Sequence, residues 1–185
     1  TGAEQVDWIG TSMGGLIGML LAAQSGTPIR QLVINDVGPF VPKAALERLA
    51  SYVGQDPQFD TIAALEQYLR RICAPFGPLT DEQWQHLAQH SGVRLDNGRY
   101  ALAHDPAIGL AFRGPIRDVN LWPVWKAIMI PTLITRGAQS DLLLERTALE
   151  MIASAPAGSK LATFAGVGHA PMFMAEDQIA AVEAF

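Results

Sequence analysis

One cysteine, Cys73, stands in 185 residues, so no intrachain disulfide can form and a disulfide-stapled secreted scaffold is excluded. A reducing, cytoplasmic compartment fits that usage. Charge is also scarce, at 17% of residues, and it leans acidic: 13 Lys+Arg against 18 Asp+Glu leave a net charge of −5. With no basic block to neutralise phosphates, a nucleic-acid partner is not expected. Long apolar runs are missing as well. The longest, residues 13–23, has eleven residues including three glycines, too few to cross a bilayer. The chain opens Thr1-Gly2-Ala3-Glu4, with neither the basic start of a signal peptide nor an initiator methionine, and reaches strand-like sequence within a few residues. The expectation is that the natural N-terminus lies upstream. What is abundant is apolar side chain, 49% by count, which excludes disorder and provides a core for one domain carrying an insertion.

Hydrophobic patterning divides the chain into three stretches. Residues 6–9 read as a strand ending at Gly10, residues 16–23 as a helix, and residues 29–34 as a mostly apolar strand of the kind a parallel sheet buries on both faces. From 39 to 122 helical spacing takes over, at 44–53, 62–72 and 82–90, with a turn between short extended pieces at 95–100. Thr80 followed by Gln83 has the spacing of a capping box. Strand, helix and strand then resume at 131–135, 143–153 and 159–164, before a last helix from 176. The expected architecture is α/β: a mostly parallel sheet domain from residues 1–38 and 123–185, with a helical lid, 39–122, spliced in.

Gly10-Thr11-Ser12-Met13-Gly14 falls at the first strand-to-helix turn and matches G-x-S-x-G, which holds a serine hydroxyl out on a strained turn. Glycines flank the serine because a Cβ at either place is expected to meet the folded-back backbone. A serine needs a base, and the base needs an orienting carboxylate. His169 lies in the glycine-rich Gly166-Val167-Gly168-His169 loop after the last strand. Asp141 lies in the loop after the preceding strand. Both loops leave the carboxyl end of a parallel strand, where open α/β sheets build their sites.

These motifs resemble the α/β-hydrolase superfamily with a lid domain. The matching stretches are Gly-Thr-Ser-Met-Gly-Gly at 10–15, Asn-Asp-Val-Gly-Pro at 35–39, Arg-Gly-Ala-Gln-Ser-Asp-Leu-Leu at 136–143 and Gly-Val-Gly-His at 166–169. The resemblance implies Ser12 as nucleophile, Asp141 as triad acid, His169 as base and the Met13 N–H as one oxyanion donor. It further implies a serine hydrolase acting on a carboxylic ester or similar small acyl substrate through an acyl-enzyme, with carbon–carbon bond hydrolysis as the alternative. No metal and no cofactor is implied, and no membrane partner. The chain departs from the family in lacking the strands that precede the nucleophile, so the missing N-terminal half or a second copy is the expected partner, and residues 1–9 supply no second oxyanion donor.

Other readings stay open at this point. Asp36 rivals Asp141 as the acid, since it too follows a strand. A dinucleotide-binding turn is the competing class, because Gly10, Gly14 and Gly15 open a helix and Asp36 closes the next strand about 20 residues on; a binding domain of this fold without activity is another. His86 and His90 share a helix face but lack the glutamate and third ligand of a zinc site, and read as a solvated face. Phe40, Trp122 and Trp125 flank the points where the insertion leaves and rejoins the sheet; hinge packing is the first reading, and Phe40 and Trp122 are the candidates for a pocket wall beside the substrate. Cys73 is expected to be a buried apolar cysteine.

Overall fold

The computed structural model describes residues 2–185; Thr1 lies outside the described residues. Strand β1 (Val6–Thr11) runs into Ser12 and at once into α1 (Met13–Ala22), three residues earlier than the sequence pattern suggests. The inward face of α1 is Gly15, Gly18, Met19 and Ala22, at helical spacing and mostly small, so the helix lies close on the sheet. A Cβ at Gly18 would stand 2.5 Å from the Trp8 indole nitrogen. Strand β2 (Ile29–Asn35) follows, then a two-residue strand β3 (Phe40–Val41).

The next stretch folds as α2 (Lys43–Ala50), α3 (Ile62–Ile72), α4 (Asp81–Ser91), the hairpin β4 (Gly92–Arg94) and β5 (Tyr100–Leu102), a 3₁₀ segment Pro106–Phe112, and β6 (Val119–Asn120). The Thr80–Gln83 capping box forms, with the Gln83 amide donating to Thr80 Oγ1 at 3.2 Å and the Thr80 amide to Gln83 Oε1 at 2.9 Å. Strands β3 and β6 pair antiparallel and pinch the chain together at both ends of this stretch. Between them Leu65, Leu69, Trp84 and Ala88 form an apolar cluster separate from the main core.

Cys73 closes α3, half-buried against that cluster, and burial pushes its thiol up to about 11. Alkylation by iodoacetamide at pH 8 is therefore expected about a hundredfold slower than for a free cysteine, because the thiolate is the reactive form. Mass spectrometry with and without denaturant measures it. Full-speed labelling of the folded protein contradicts the buried placement.

The chain returns through α5 (Trp122–Lys126), β7 (Thr132–Gly137), α6 (Glu145–Ala153), β8 (Lys160–Phe164) and α7 (Glu176–Glu183). The main sheet is parallel throughout, in the order β1-β2-β7-β8. Every residue of β7 is buried, as expected of an inner strand covered on both faces. β1 is an edge among the described residues, and Ile9, Met13, Ile17 and Leu20 beside it are exposed. No described helix is long and apolar enough to cross a membrane.

Two local expectations change. α6 begins at Glu145 and not at residue 143, because Leu142 and Leu143 are drawn into the core while their amides bond Ser140 Oγ. α5 is a short helix the apolar pattern did not signal, five residues long with Pro123 in its first turn. It buries Trp125, whose indole N–H donates to Ser154 Oγ at 3.1 Å.

Candidate active site

Ser12 sits at φ 53°, ψ −117°, a conformation that L-residues rarely adopt and that costs of order 1–3 kcal/mol. Its surroundings hold it there. The Ser12 amide donates to Asn35 O at 3.0 Å, and its carbonyl accepts from Gly15 and Leu16. A Cβ on Gly10 would overlap the Gly14 carbonyl and stand 2.6 Å from the Gly15 nitrogen, and one on Gly15 would come within 2.6 Å of Val37. Nothing lies within 4 Å of a Cβ on Gly14. The crowded glycines of the turn are thus Gly10 and Gly15, and the expectation that Gly14 is sterically required is corrected. Met13, the first residue of α1, has no preceding turn to take its N–H, which is left at the Ser12 end of the helix.

His169 is brought to Ser12 by the loop after β8. Its Nε2 is 3.0 Å from Ser12 Oγ, and its Nδ1 is 2.8 Å from Asp36 Oδ2. The loop is fastened on three sides. Gly168 N donates to Pro75 O at 2.7 Å, Gln139 N to Val167 O at 2.8 Å, and the Asn35 side chain to Pro171 O at 2.7 Å. Asn35 also reaches Thr11 and Thr135, so one fully buried amide joins β1, β7 and the histidine loop.

The carboxylate on His169 is Asp36, not Asp141. Asp36 follows β2 at φ 54° and is fully buried. Its Oδ1 accepts from the Gly137 amide at 2.8 Å, and its Oδ2 accepts from Ser140 Oγ at 2.5 Å besides facing His169. Ser140 in turn accepts from Leu142 and Leu143, so the loop that carries Asp141 contributes a hydroxyl to Asp36 and turns its own carboxylate outward.

Asp141 lies on α2's Arg48, through contacts of 2.6 and 2.8 Å, with 48% of its side chain exposed. Burial pushes its acidity the other way, but the Arg48 hydrogen bonds and charge outweigh this and hold the carboxyl below its ordinary value. The pairing of Asp141 with His169 expected from sequence is therefore corrected. Both loops leave neighbouring strands, and the Asn35–Thr135 register sets Asp36 one residue beyond the sheet, level with Arg136–Gly137.

A cavity of about 570 Å³ opens at Ser12. Its floor is Ser12, Met13, Leu16, Val37 and Leu142, and its walls come from α2 and from the stretch 108–119. Such a size and apolar lining suit a small organic substrate. Phe40 and Trp122, the candidates for a pocket wall, do not line it. In β3 Phe40 alternates with Val41, and it is Val41 that points to the cavity and core; Trp122 packs on the main core. Among the described residues no cluster of three or more His, Cys, Asp or Glu could hold a metal.

A family profile described as "Alpha/beta hydrolase family" matches residues 1–182. A 3-hydroxybutyrate-oligomer hydrolase of Cupriavidus necator is 42% identical over 98% of the chain, which spans 65% of that protein. An alpha/beta hydrolase crystal structure from Novosphingobium aromaticivorans superposes with TM-score 0.87 at 37% identity, covering 99% of this chain and 65% of that one. A Rickettsia typhi structure matches with TM-score 0.88 at 31% identity, covering 98% and 62%. The chain thus spans just under two thirds of the length of each of these relatives.

Proposed function

The chain belongs to the alpha/beta hydrolase family, and on that footing we propose that it carries the machinery of a serine hydrolase acting on carboxylic esters. One observation carries the reading: Ser12 Oγ, His169 and the fully buried Asp36 form a continuous chain of contacts of 3.0 and 2.8 Å opening on an apolar cavity. Three unrelated segments converge there, and a purely structural turn requires no such convergence.

In the proposed reaction Asp36 holds the Nδ1–H of His169, leaving Nε2 bare toward Ser12. His169 takes the serine proton as Oγ attacks the ester carbonyl. The Met13 N–H at the start of α1 stabilises the oxyanion, helped by the helix dipole. The tetrahedral intermediate expels the alcohol, which receives the proton from His169, and water releases the acid by the same steps in reverse order. The Cupriavidus relative is named for hydrolysing 3-hydroxybutyrate oligomers, and esters of short aliphatic acids are the broader substrate class we propose here. A cavity walled by Leu46, Leu49, Val53, Ile108 and Val119 supports that choice.

The competing dinucleotide reading needs a free Asp36 carboxylate at the end of β2. Both its oxygens are occupied within the protein.

The test is a fluorophosphonate probe followed by intact-mass and peptide analysis. A single adduct on Ser12, absent from Ser12→Ala, is expected. Labelling that survives Ser12→Ala overturns the assignment.

A further inference from the structure

The cavity at Ser12 is apolar on nearly every side, yet one cation, Arg117, lines it. Arg117 lies in the stretch that leads from the 3₁₀ segment into β6, and it is exposed. Other arginines around the site are committed. Arg48 holds Asp141, Arg136 is buried on the Leu143 and Ala138 carbonyls, and Arg70 bridges Glu66 and Asp81. Among the described residues Arg117 has no hydrogen-bond or ion-pair partner. Its neighbour Asp118, the only anion on the cavity wall, turns Oδ1 to the Lys43 amide at the start of α2, at 2.6 Å, and is used in closing that helix.

From this we infer that Arg117 is the anion-binding residue of the cavity, and that the preferred substrates are esters whose apolar acyl chain ends in a carboxylate. The inference deepens the serine-hydrolase reading and rests on it. An aliphatic chain leaves water along Leu46, Leu49 and Ile116, and a carboxylate that it carries to the exposed Arg117 on the same wall meets a charged donor there. A guanidinium presents a planar fork that matches a carboxylate in two parallel bonds. The adjacent Asp118 fixes the charge that is tolerated. A single cation beside a carboxylate suits a monoanion and disfavours a dianionic phosphate. Hydrolysis then separates an acid that bears two carboxylates from a neutral alcohol, so product release at this end has the same partner as substrate binding.

The experiment compares monoethyl adipate with the matching ethyl ester in which a carboxamide replaces the carboxylate. kcat/KM is measured for both with wild type, Arg117→Ala, Arg117→Lys and Arg146→Ala, the last removing an exposed arginine of α6 that lies off the cavity. The anionic-to-neutral ratio is expected to fall about fivefold in Arg117→Ala, mainly through KM, as loss of an exposed charge-assisted pair implies. Arg117→Lys restores part of it, since the charge remains and the fork is lost. Arg146→Ala leaves the ratio unchanged.

Calorimetric binding of the two esters to Ser12→Ala protein reads the same preference without turnover. An unchanged ratio and unchanged relative affinity in Arg117→Ala overturn the inference, as does an equal fall in Arg146→Ala. Turnover that persists in Ser12→Ala while the ratio still follows Arg117 overturns the serine reading alone.

Discussion

Asp36→Asn is expected to lower kcat on any accepted ester by about 10⁴, while Asp141→Asn lowers it less than about tenfold. The first figure is the loss seen when the orienting carboxylate of a serine protease triad becomes an amide. The physical reason carries over because Asp36 alone meets His169 Nδ1, and an amide nitrogen there cannot accept the imidazole N–H. A second penalty adds to it. Both Asp36 oxygens accept hydrogen bonds from within the protein, from Gly137 N and Ser140 Oγ, so one of these donors faces another donor in the variant. Asp141→Asn removes only a half-exposed ion pair with Arg48, of the kind worth about 0–1 kcal/mol. Thermal unfolding and circular dichroism separate lost folding from lost chemistry. A larger fall in Asp141→Asn, with both variants folded, returns the acid to Asp141.

Gly10→Ala and Gly14→Ala are expected to diverge sharply, although the motif treats the two positions alike. At Gly10 the new methyl overlaps the Gly14 carbonyl and crowds the Gly15 nitrogen, both backbone atoms that can move only by moving Ser12. We expect a stability loss of about 3 kcal/mol, near the upper end for overpacking. A displacement of the nucleophile of about 1 Å accounts for a further fall in kcat of about 10². At Gly14 the methyl meets nothing within 4 Å and sits in the first turn of α1, where alanine is a better helix former. Tm and kcat within a few degrees and twofold of wild type are expected there. Wild-type behaviour of Gly10→Ala, or a Gly14→Ala variant as damaged as Gly10→Ala, contradicts the packing described.

The strands and helices were legible because their periodicities are strong: β2 and β7 as apolar runs, α3 as an amphipathic face whose bounds were read to the residue. That Ser12 and His169 meet was legible from motif and placement. The choice between Asp36 and Asp141 was not. Each follows a parallel strand and precedes His169 in the chain, so order alone cannot separate them. What decides is a three-dimensional matter: which carboxylate is turned inward by a neighbouring hydroxyl and amide, and which is drawn outward by an arginine 93 positions away on another element. The cavity wall was hidden for a related reason. Phe40 and Val41 look equally suitable, and the strand pleat assigns one to each side.

The bond from Gly168 N to Pro75 O means that the loop bearing His169 is sewn to the helical stretch between β3 and β6. Gly77 adds to the seam, since a Cβ there would press on Val167 at 2.9 Å, and Gln83 Nε2 reaches Met174 O at 2.9 Å just beyond the histidine. Evolution therefore cannot exchange that stretch freely as a specificity cassette. A transplant from a relative that brings a new wall for the cavity but shifts the backbone at residue 75, or places a side chain at 77, also disturbs the seat of His169, so the shape of the pocket and the placement of that histidine are inherited together.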